Sequence, residues 1–448
     1  MKKTFLTLLI VSFNAFAQSN LNKSWILFNR ANSPLSSNRI ANVFENETNA
    51  YWFTTGRERV GSAIIFSGYL HGFHKGEWTI FDHTNSPLDS NIVEDVTETR
   101  SGKLLVATTR GLYIRENNNW DSLKTSNSPL PDNFIYRISV DKLNRYWLGI
   151  PNYGVAVYSN GNWTLYNDQN SFFGIGDFNF IKVDTLNHIW IGTDFYGLYS
   201  FDGNRWANRI KGRFTGGPWQ PIVGLAIDAQ NRKWISINKQ GGGGKIAKGI
   251  GDTSFVYYDD TAIGFSFSML SYDGTIVAKK NIKYFGTTDG LLKYDDVTWT
   301  RMDTSNSPLP ANWFRVGSVD AKNNKIFGLS SFTPSRNDYG LIFYNEDSVI
   351  VTAVKNDYSI PYEFKLHRNY PNPFNPITRI KYSNPISEIV EIKIYNMLGS
   401  EIRTLFRGHK HAGNYEIEFD ASHLPSGVYF YKIISRSYSD TKKMILLR

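Results

Sequence analysis

Apolar residues between positions 24 and 352 come in short runs, separated by clusters of Asn, Asp, Ser and Gly. Such runs, bounded by turn residues, predict short β-strands and no long helix. The runs repeat. Trp78, Trp120, Trp163 and Trp206 stand 42, 43 and 43 residues apart; Trp25 precedes the series by 53, and Trp299 continues it after two divergent units. In the unit that starts at Trp163, WTLY (163–166) is followed by FIKV (180–183), IWIGT (189–193) and GLY (197–199). The second and third runs are joined by a formulaic turn, Asp141–Asn144, Asp184–Asn187, Asp228–Asn231 and Asp320–Asn323 in successive copies. Asp side chains bond the backbone two residues on and Asn tolerates positive φ, so this is hairpin chemistry. One carboxylate per turn falls short of the roughly six to eight oxygens calcium takes, which leaves these turns without a metal reading. The run after the turn is apolar on both faces, as a strand between two sheets should be, with Gly where the sheets crowd.

Four strands per unit of about 40–50 residues, repeated, predict an all-β fold, a β-propeller. With the Trp-led run as the outer strand, third strands are expected to begin near Ser62, Gly111, Gly154, Gly197, Lys245, Gly290 and Gly340, giving seven blades across 18–355. Either Trp25–Phe28 or Ser348–Val354 can close the last blade; closure leaves no open edge. The loop NSPL recurs at 32–35, 85–88, 127–130 and 306–309, followed at a fixed distance by Asn38, Asn91, Asn133 or Asn312. Its repetition argues for a structural role, a stiff turn whose Leu covers a seam. These WIGT and GLY runs with their NSPL loops resemble two-component regulator propeller repeats, which implies a fold and a sensing or binding surface without implying an activity.

After residue 355 the pattern changes to longer strands alternating apolar and polar residues, as in an antiparallel β-sandwich of immunoglobulin-like type over 356–448. Three prolines within Pro371–Pro376 keep that stretch out of a central strand, so it is expected as an edge or loop. The segment Tyr370, Pro371, Asn372, Pro373, Phe374, Asn375, Pro376, the YNMLG turn (395–399), the LPSGVY stretch with Gly427, Val428 and Tyr429, and the basic, apolar end together resemble the type A sorting domain of type IX secretion cargo. The resemblance implies crossing of the outer membrane by engagement of the type IX machinery, and secretion or surface attachment of the body.

The first residues read as a signal peptide, 1–17: Lys2 and Lys3, an apolar stretch from Phe5 to Phe13, and a small-x-small cleavage site at Ala15 and Ala17. Its apolar run is too short to span a bilayer core of roughly 30 Å as a helix. Export to the periplasm is therefore expected first, and the mature chain is expected to carry no transmembrane segment. Of the net charge of +9, residues 1–17 contribute +2 and 361–448 contribute +5, which leaves +2 on the body. So balanced a body argues against nucleic acid as a partner. With no Cys, disulfides and thiol chemistry are excluded.

No converging catalytic constellation is visible, nor any nucleotide cradle, and no cofactor or metal is expected. His71, His74 and Glu77 are of metal-ligand type, but their spacing suits a helix, and Gly72 and Gly76 oppose one; a solvated loop is expected there. Ligands of propellers meet a mouth built from the loops between second and third strands and from those joining one blade to the next. Here those loops depart from the repeat and supply Arg57, Arg59, Arg110, Tyr153, Phe172, Phe195, Tyr196, Trp219, Trp313 and Arg336. Rings and guanidinium forks suit sugar faces, peptides or acidic polymers. The expected function is binding of an extracellular glycan or protein by a monomer, against a polysaccharide hydrolase or lyase, or a structural surface component.

Overall fold

The computed structural model describes residues 25–29, 32–46, 50–55, 58–60, 63–65, 69–88, 92–171, 178–329, 339–347, 364–384, 388–410, 413–436 and 438–447. The expected signal peptide, with Ala15 and Ala17, lies outside them.

Seven four-stranded antiparallel sheets occupy the stretch from Trp25 to Tyr344. In blade three the order is Arg137–Val140, Tyr146–Ile150, Gly154–Ser159 and Asn162–Tyr166, from inner to outer strand. The inner strands touch in sequence around a closed circuit that returns from Phe314–Val319 to Ile40–Glu45. The fold is a seven-bladed β-propeller. Blade seven takes its outer strand, Trp25–Phe28, from the start of the chain, beside Gly340–Tyr344. The Trp25 ring stacks on Tyr344 at 4.0 Å.

Blade one departs from the expected boundaries. Its third strand is Leu70–His74, not a run from Ser62, and Glu58–Val60 with Ala63–Ile65 forms a separate two-stranded hairpin inserted before it. The solvated loop expected at 71–77 is likewise a strand hairpin: His71 is fully buried opposite Ile80, and His74 faces Glu77. Burial holds the His71 imidazole well below its usual range, at about 4. The misleading feature was Gly72. Its lack of a Cβ is required because the Trp52 ring lies 2.6 Å from where one would be.

The formulaic turns carry much of the specification. Asn144, Asn187, Asn231 and Asn323 all have φ between 60° and 72°, which Asn tolerates better than most residues. Each preceding Asp accepts backbone N–H bonds inside its turn, and three also accept the indole N–H of the second strand: Trp147 to Asp141 at 2.9 Å, Trp190 to Asp184 at 3.1 Å, Trp234 to Asp228 at 3.0 Å. The indole rings are thereby buried with their one donor satisfied. Side chains of the same Asn residues reach the turn of the preceding blade, Asn187 accepting from Lys142 N–H at 2.7 Å and Asn231 from Thr185 N–H at 3.1 Å.

Between blades, a second device recurs. The residue before the second-strand ring position is Lys in blades five, six and seven, and Lys233, Lys283 and Lys325 are almost wholly buried. Lys233 Nζ lies 4.8 Å from the Trp190 ring centre of blade four, 2.9 Å from Asp184 Oδ2 and 2.8 Å from Asp252 Oδ1. Lys283 lies over Trp234 and pairs with Asp296; Lys325 lies over Tyr284, 3.6 Å from Glu346. At the closing seam a phenol replaces the ammonium, Tyr51 donating to Asp320. A charge taken out of water is tolerable only with such pairing.

The NSPL loops are structural, as their repetition suggested. Asn85, Asn127 and Asn306 each donate to a carbonyl of the preceding outer strand and accept an N–H at its end, and Leu35, Leu88, Leu130 and Leu309 are buried.

Residues 364–447 form a β-sandwich. One sheet is Lys365–Leu366, Ile377–Asn384 and Gly413–Asp420; the other is Glu401–Lys410, Glu388–Tyr395, Gly427–Ser435 and Ser439–Leu446. Ile380, Tyr382, Ile392, Ile394, Tyr431 and Met444 meet between them. The proline-rich stretch runs along an edge, where Phe374 N–H donates to Ile445 O at 3.0 Å and Leu447 N–H returns a bond to Phe374 O. Both Tyr370–Pro371 and Asn372–Pro373 are cis.

Candidate functional site

The second-to-third-strand loops and the blade-to-blade loops share one end of the propeller, because each inner strand begins there and each Asp–Asn turn lies opposite. Of the predicted mouth residues, Phe195 and Tyr196 sit in the loop before Gly197–Phe201 of blade four. The longer loop that leaves Trp206–Lys211 folds over them through a turn at Arg213–Thr215, capped by Gly216 at φ 82°. Phe214 N–H donates to Phe195 O at 3.1 Å and Thr215 Oγ1 to Tyr196 O at 3.2 Å. These bonds set the Phe214 ring 5.4 Å from Phe195 and 5.2 Å from Tyr196, with Phe214 60% exposed. Trp219 follows in the same loop, half-buried, its indole N–H without a partner among the described residues. Phe195, Tyr196 and Phe214 thus form one aromatic platform, with Trp219 farther along the same loop. Phe214 was missed because a lone Phe in a basic, glycine-containing loop carries no periodic signal.

The remaining candidates among the described residues stand at other blades. Arg110 is exposed at the blade-two turn and Tyr153 is 43% exposed at that of blade three. Trp313 is half-buried ahead of the blade-seven inner strand. Arg59 lies in the inserted hairpin, and Arg57, Phe172 and Arg336 lie outside the described residues.

A polar cluster at the axis was not anticipated. Several inner strands carry a β-bulge near their start, and in blade six it is enlarged: Leu270 pairs with Thr287 and the next pair is Thr275 with Phe285. The extra residues run from Ser271 to Gly274: Ser271 Oγ donates to Phe314 O of blade seven, and Asp273 has φ 52°. Asp273 pairs with Lys182 of blade four at 2.5 Å, spanning past blade five. Around it, Asp95 accepts from Asn42 of blade one at 2.5 Å and from Ile138 N–H of blade three at 3.0 Å. Arg137 donates to Asn179 O at 2.8 Å with its guanidinium over Tyr136, and Asn179 donates to Asp194 at 2.8 Å and to Ile222 O at 3.1 Å. Inner strands are thus stitched edge to edge by side chains at bulges, which a period-two reading treats as noise. Burial raises the Asp95 carboxyl to about 6 despite the opposing Arg137 charge and two backbone N–H bonds. Tyr272 is held protonated by burial and by the nearby Asp194 carboxylate.

At the opposite end, Asp184, His188 and Asp252 place their ligand atoms near one another in metal-like fashion. The Lys233 ammonium, within 2.9 Å of both carboxylates, already supplies the cation there.

The fold is a seven-bladed β-propeller followed in the chain by a β-sandwich. Residues 368–447 match the family described as the secretion system C-terminal sorting domain. That match directs the chain through type IX secretion to the cell surface or the extracellular space. Among the described residues no helix is long and apolar enough to cross a membrane. No curated protein is similar to the chain in sequence. Similar solved structures include PorZ, a surface component of the type IX secretion system of Porphyromonas gingivalis, at 15% identity and TM-score 0.55 over 94% of this chain and 61% of that one. The extracellular domain of a putative hybrid two-component system of B. thetaiotaomicron gives 13% and 0.52 over 79% of this chain and 45% of that one. Virginiamycin B lyase of Staphylococcus aureus gives 10% and 0.52, covering 71% and 98%. The chain thus spans less than two thirds of the first two. At these identities the likeness is one of fold.

Proposed function

We propose that this is a type IX-exported surface propeller that binds an extracellular glycan or protein ligand at its mouth, without turnover. The observation that carries the reading is the platform of Phe195, Tyr196 and Phe214, a ring left 60% exposed although its backbone is pinned by hydrogen bonds. A loop held in place to display an aromatic ring suits stacking on a sugar face or a peptide side chain. Two carboxylates of the inner-strand cluster favour no hydrolase. Asp95 is engaged by Asn42 and Ile138, and Asp194 by Asn179, so both are spent on joining elements. On this reading the domain limits are 1–17 for the signal peptide, 18–355 for the propeller and 356–448 for the sorting domain, with Tyr370–Pro376 and Gly427–Tyr429 presented to the secretion machinery. The test is a glycan and peptide array probed with the full chain and with Phe214→Ala/Trp219→Ala. Binding lost in the double variant supports the reading; product formation from any bound glycan would replace it with an enzyme.

A further inference from the structure

The seam between blades two and three lacks the acid and indole that blades three, four and five carry. Six residues after the turn acid, blades three, four and five carry Trp147, Trp190 and Trp234; blade two carries Leu105. One position earlier, blade three carries Tyr146, the counterpart of Tyr51, whose hydroxyl donates to Asp320 at the closing seam. At the seam of blades two and three, the position matching Asp320 is Thr99, so Tyr146 has no carboxylate to meet. At this seam lies a cleft of about 340 Å³, bounded by Ile114, Trp120 and Leu123 of blade two and by Tyr146 and Tyr158 of blade three. It opens at the end opposite the mouth, where the second strands begin and the third-to-outer turns lie. This is at the lower end of the roughly 300–1,000 Å³ typical of small-molecule sites.

The lining is chemically selective. Trp120, Tyr146 and Tyr158 supply ring surface, and the Tyr146 and Tyr158 rings lie 5.3 Å apart. Tyr146 and Tyr158 both line the cleft, and among the described residues neither hydroxyl has a protein hydrogen-bond partner or is buried from solvent, so both are open to a bond from a molecule in the cleft. At the rim, Lys103 pairs with Glu116 at 2.9 Å, and Asn117 and Asn119 add amides. Rings, phenolic hydroxyls, a carboxylate and amides in one cleft match the alternating apolar faces and hydroxyl edges of a pyranose.

We infer that the cleft between blades two and three is a second ligand site, for a neutral pyranose unit of an oligosaccharide, with Tyr146 and Trp120 as its principal contacts. This does not rest on the mouth binding anything. Saturation-transfer difference NMR and calorimetry of the full chain with cellobiose, maltose, lactose and N,N′-diacetylchitobiose test it. At least one is expected to bind. Tyr146→Phe, which keeps the ring and the fold, should weaken that binding about tenfold, the effect of one hydrogen bond. Trp120→Ala should abolish it, and Phe214→Ala/Trp219→Ala should leave it unchanged. Binding of none of the four, or binding unchanged in Tyr146→Phe, or binding lost in the mouth variant, would overturn the inference.

Discussion

Lys233→Met is the sharpest probe of how the blades hold together. The ammonium is 1% exposed, lies between the Trp190 ring and two carboxylates, and contacts Asp184, whose side chain is fully buried. Met preserves most of the packing volume but removes the charge. Asp184 then keeps the N–H bonds of Leu186, His188 and the Trp190 indole, and loses its only close ammonium. Breaking a buried pair by removing one partner costs roughly 3–5 kcal/mol, chiefly because a charge is left unpaired. The surviving hydrogen bonds place the expectation at the lower end, about 3 kcal/mol. Because the loss comes from the orphaned charge, Lys233→Met/Asp184→Asn should be less destabilised than the two single changes added together. Equilibrium urea unfolding followed by tryptophan fluorescence reads both quantities. A cost below about 1 kcal/mol for Lys233→Met, or simple additivity in the double variant, would refute the reasoning.

Three further outcomes follow from the same contacts. Burial opposes ionisation of Glu346, but bonds from Lys293 and Tyr284 and the Lys325 charge hold it at about 2; its stabilisation is present above the unfolded glutamate value near about 4.3 and fades as pH falls toward 2, so Glu346→Gln should flatten that limb of an acid denaturation curve. Asp95 has the opposite sign: raised to about 6, it favours the fold below the unfolded aspartate value and that contribution is lost as pH rises through 6, so Asp95→Asn should remove a step in stability near pH 6, read by urea midpoints from pH 4 to 8. Asn187→Val places a β-branched residue at φ 68° and removes the acceptor for Lys142, costing about 2–3 kcal/mol in thermal or urea unfolding, whereas Asn187→Gly should cost less.

The framework was legible because it repeats. Asp–Asn turns, Trp-led outer strands and NSPL loops each recur in several blades, and each recurrence marks a contact that those blades share. Legibility ended where a blade breaks the rule. The inserted hairpin at Glu58–Ile65 displaced the third strand of blade one, and Gly72, read as a loop residue, proved to be clearance for Trp52. At the mouth, loop position alone brought out Phe195, Tyr196 and Trp219, while Phe214 depended on a turn whose bonds are to backbone atoms. The axial cluster was hidden for a similar reason. Asp95, Asn179 and Asp273 stand near bulged stretches where strand periodicity slips, and their partners include inner strands of other blades, as far as eight strands away in sequence.

Export is the claim on which the rest depends, and whole-cell protease accessibility in the native host measures it directly. The intact chain should be degraded by protease added outside, or be recovered in the medium. The chain lacking residues 368–448 should be protected and remain in the periplasm. Truncated protein reaching the surface or the medium as efficiently as the intact chain would contradict the account.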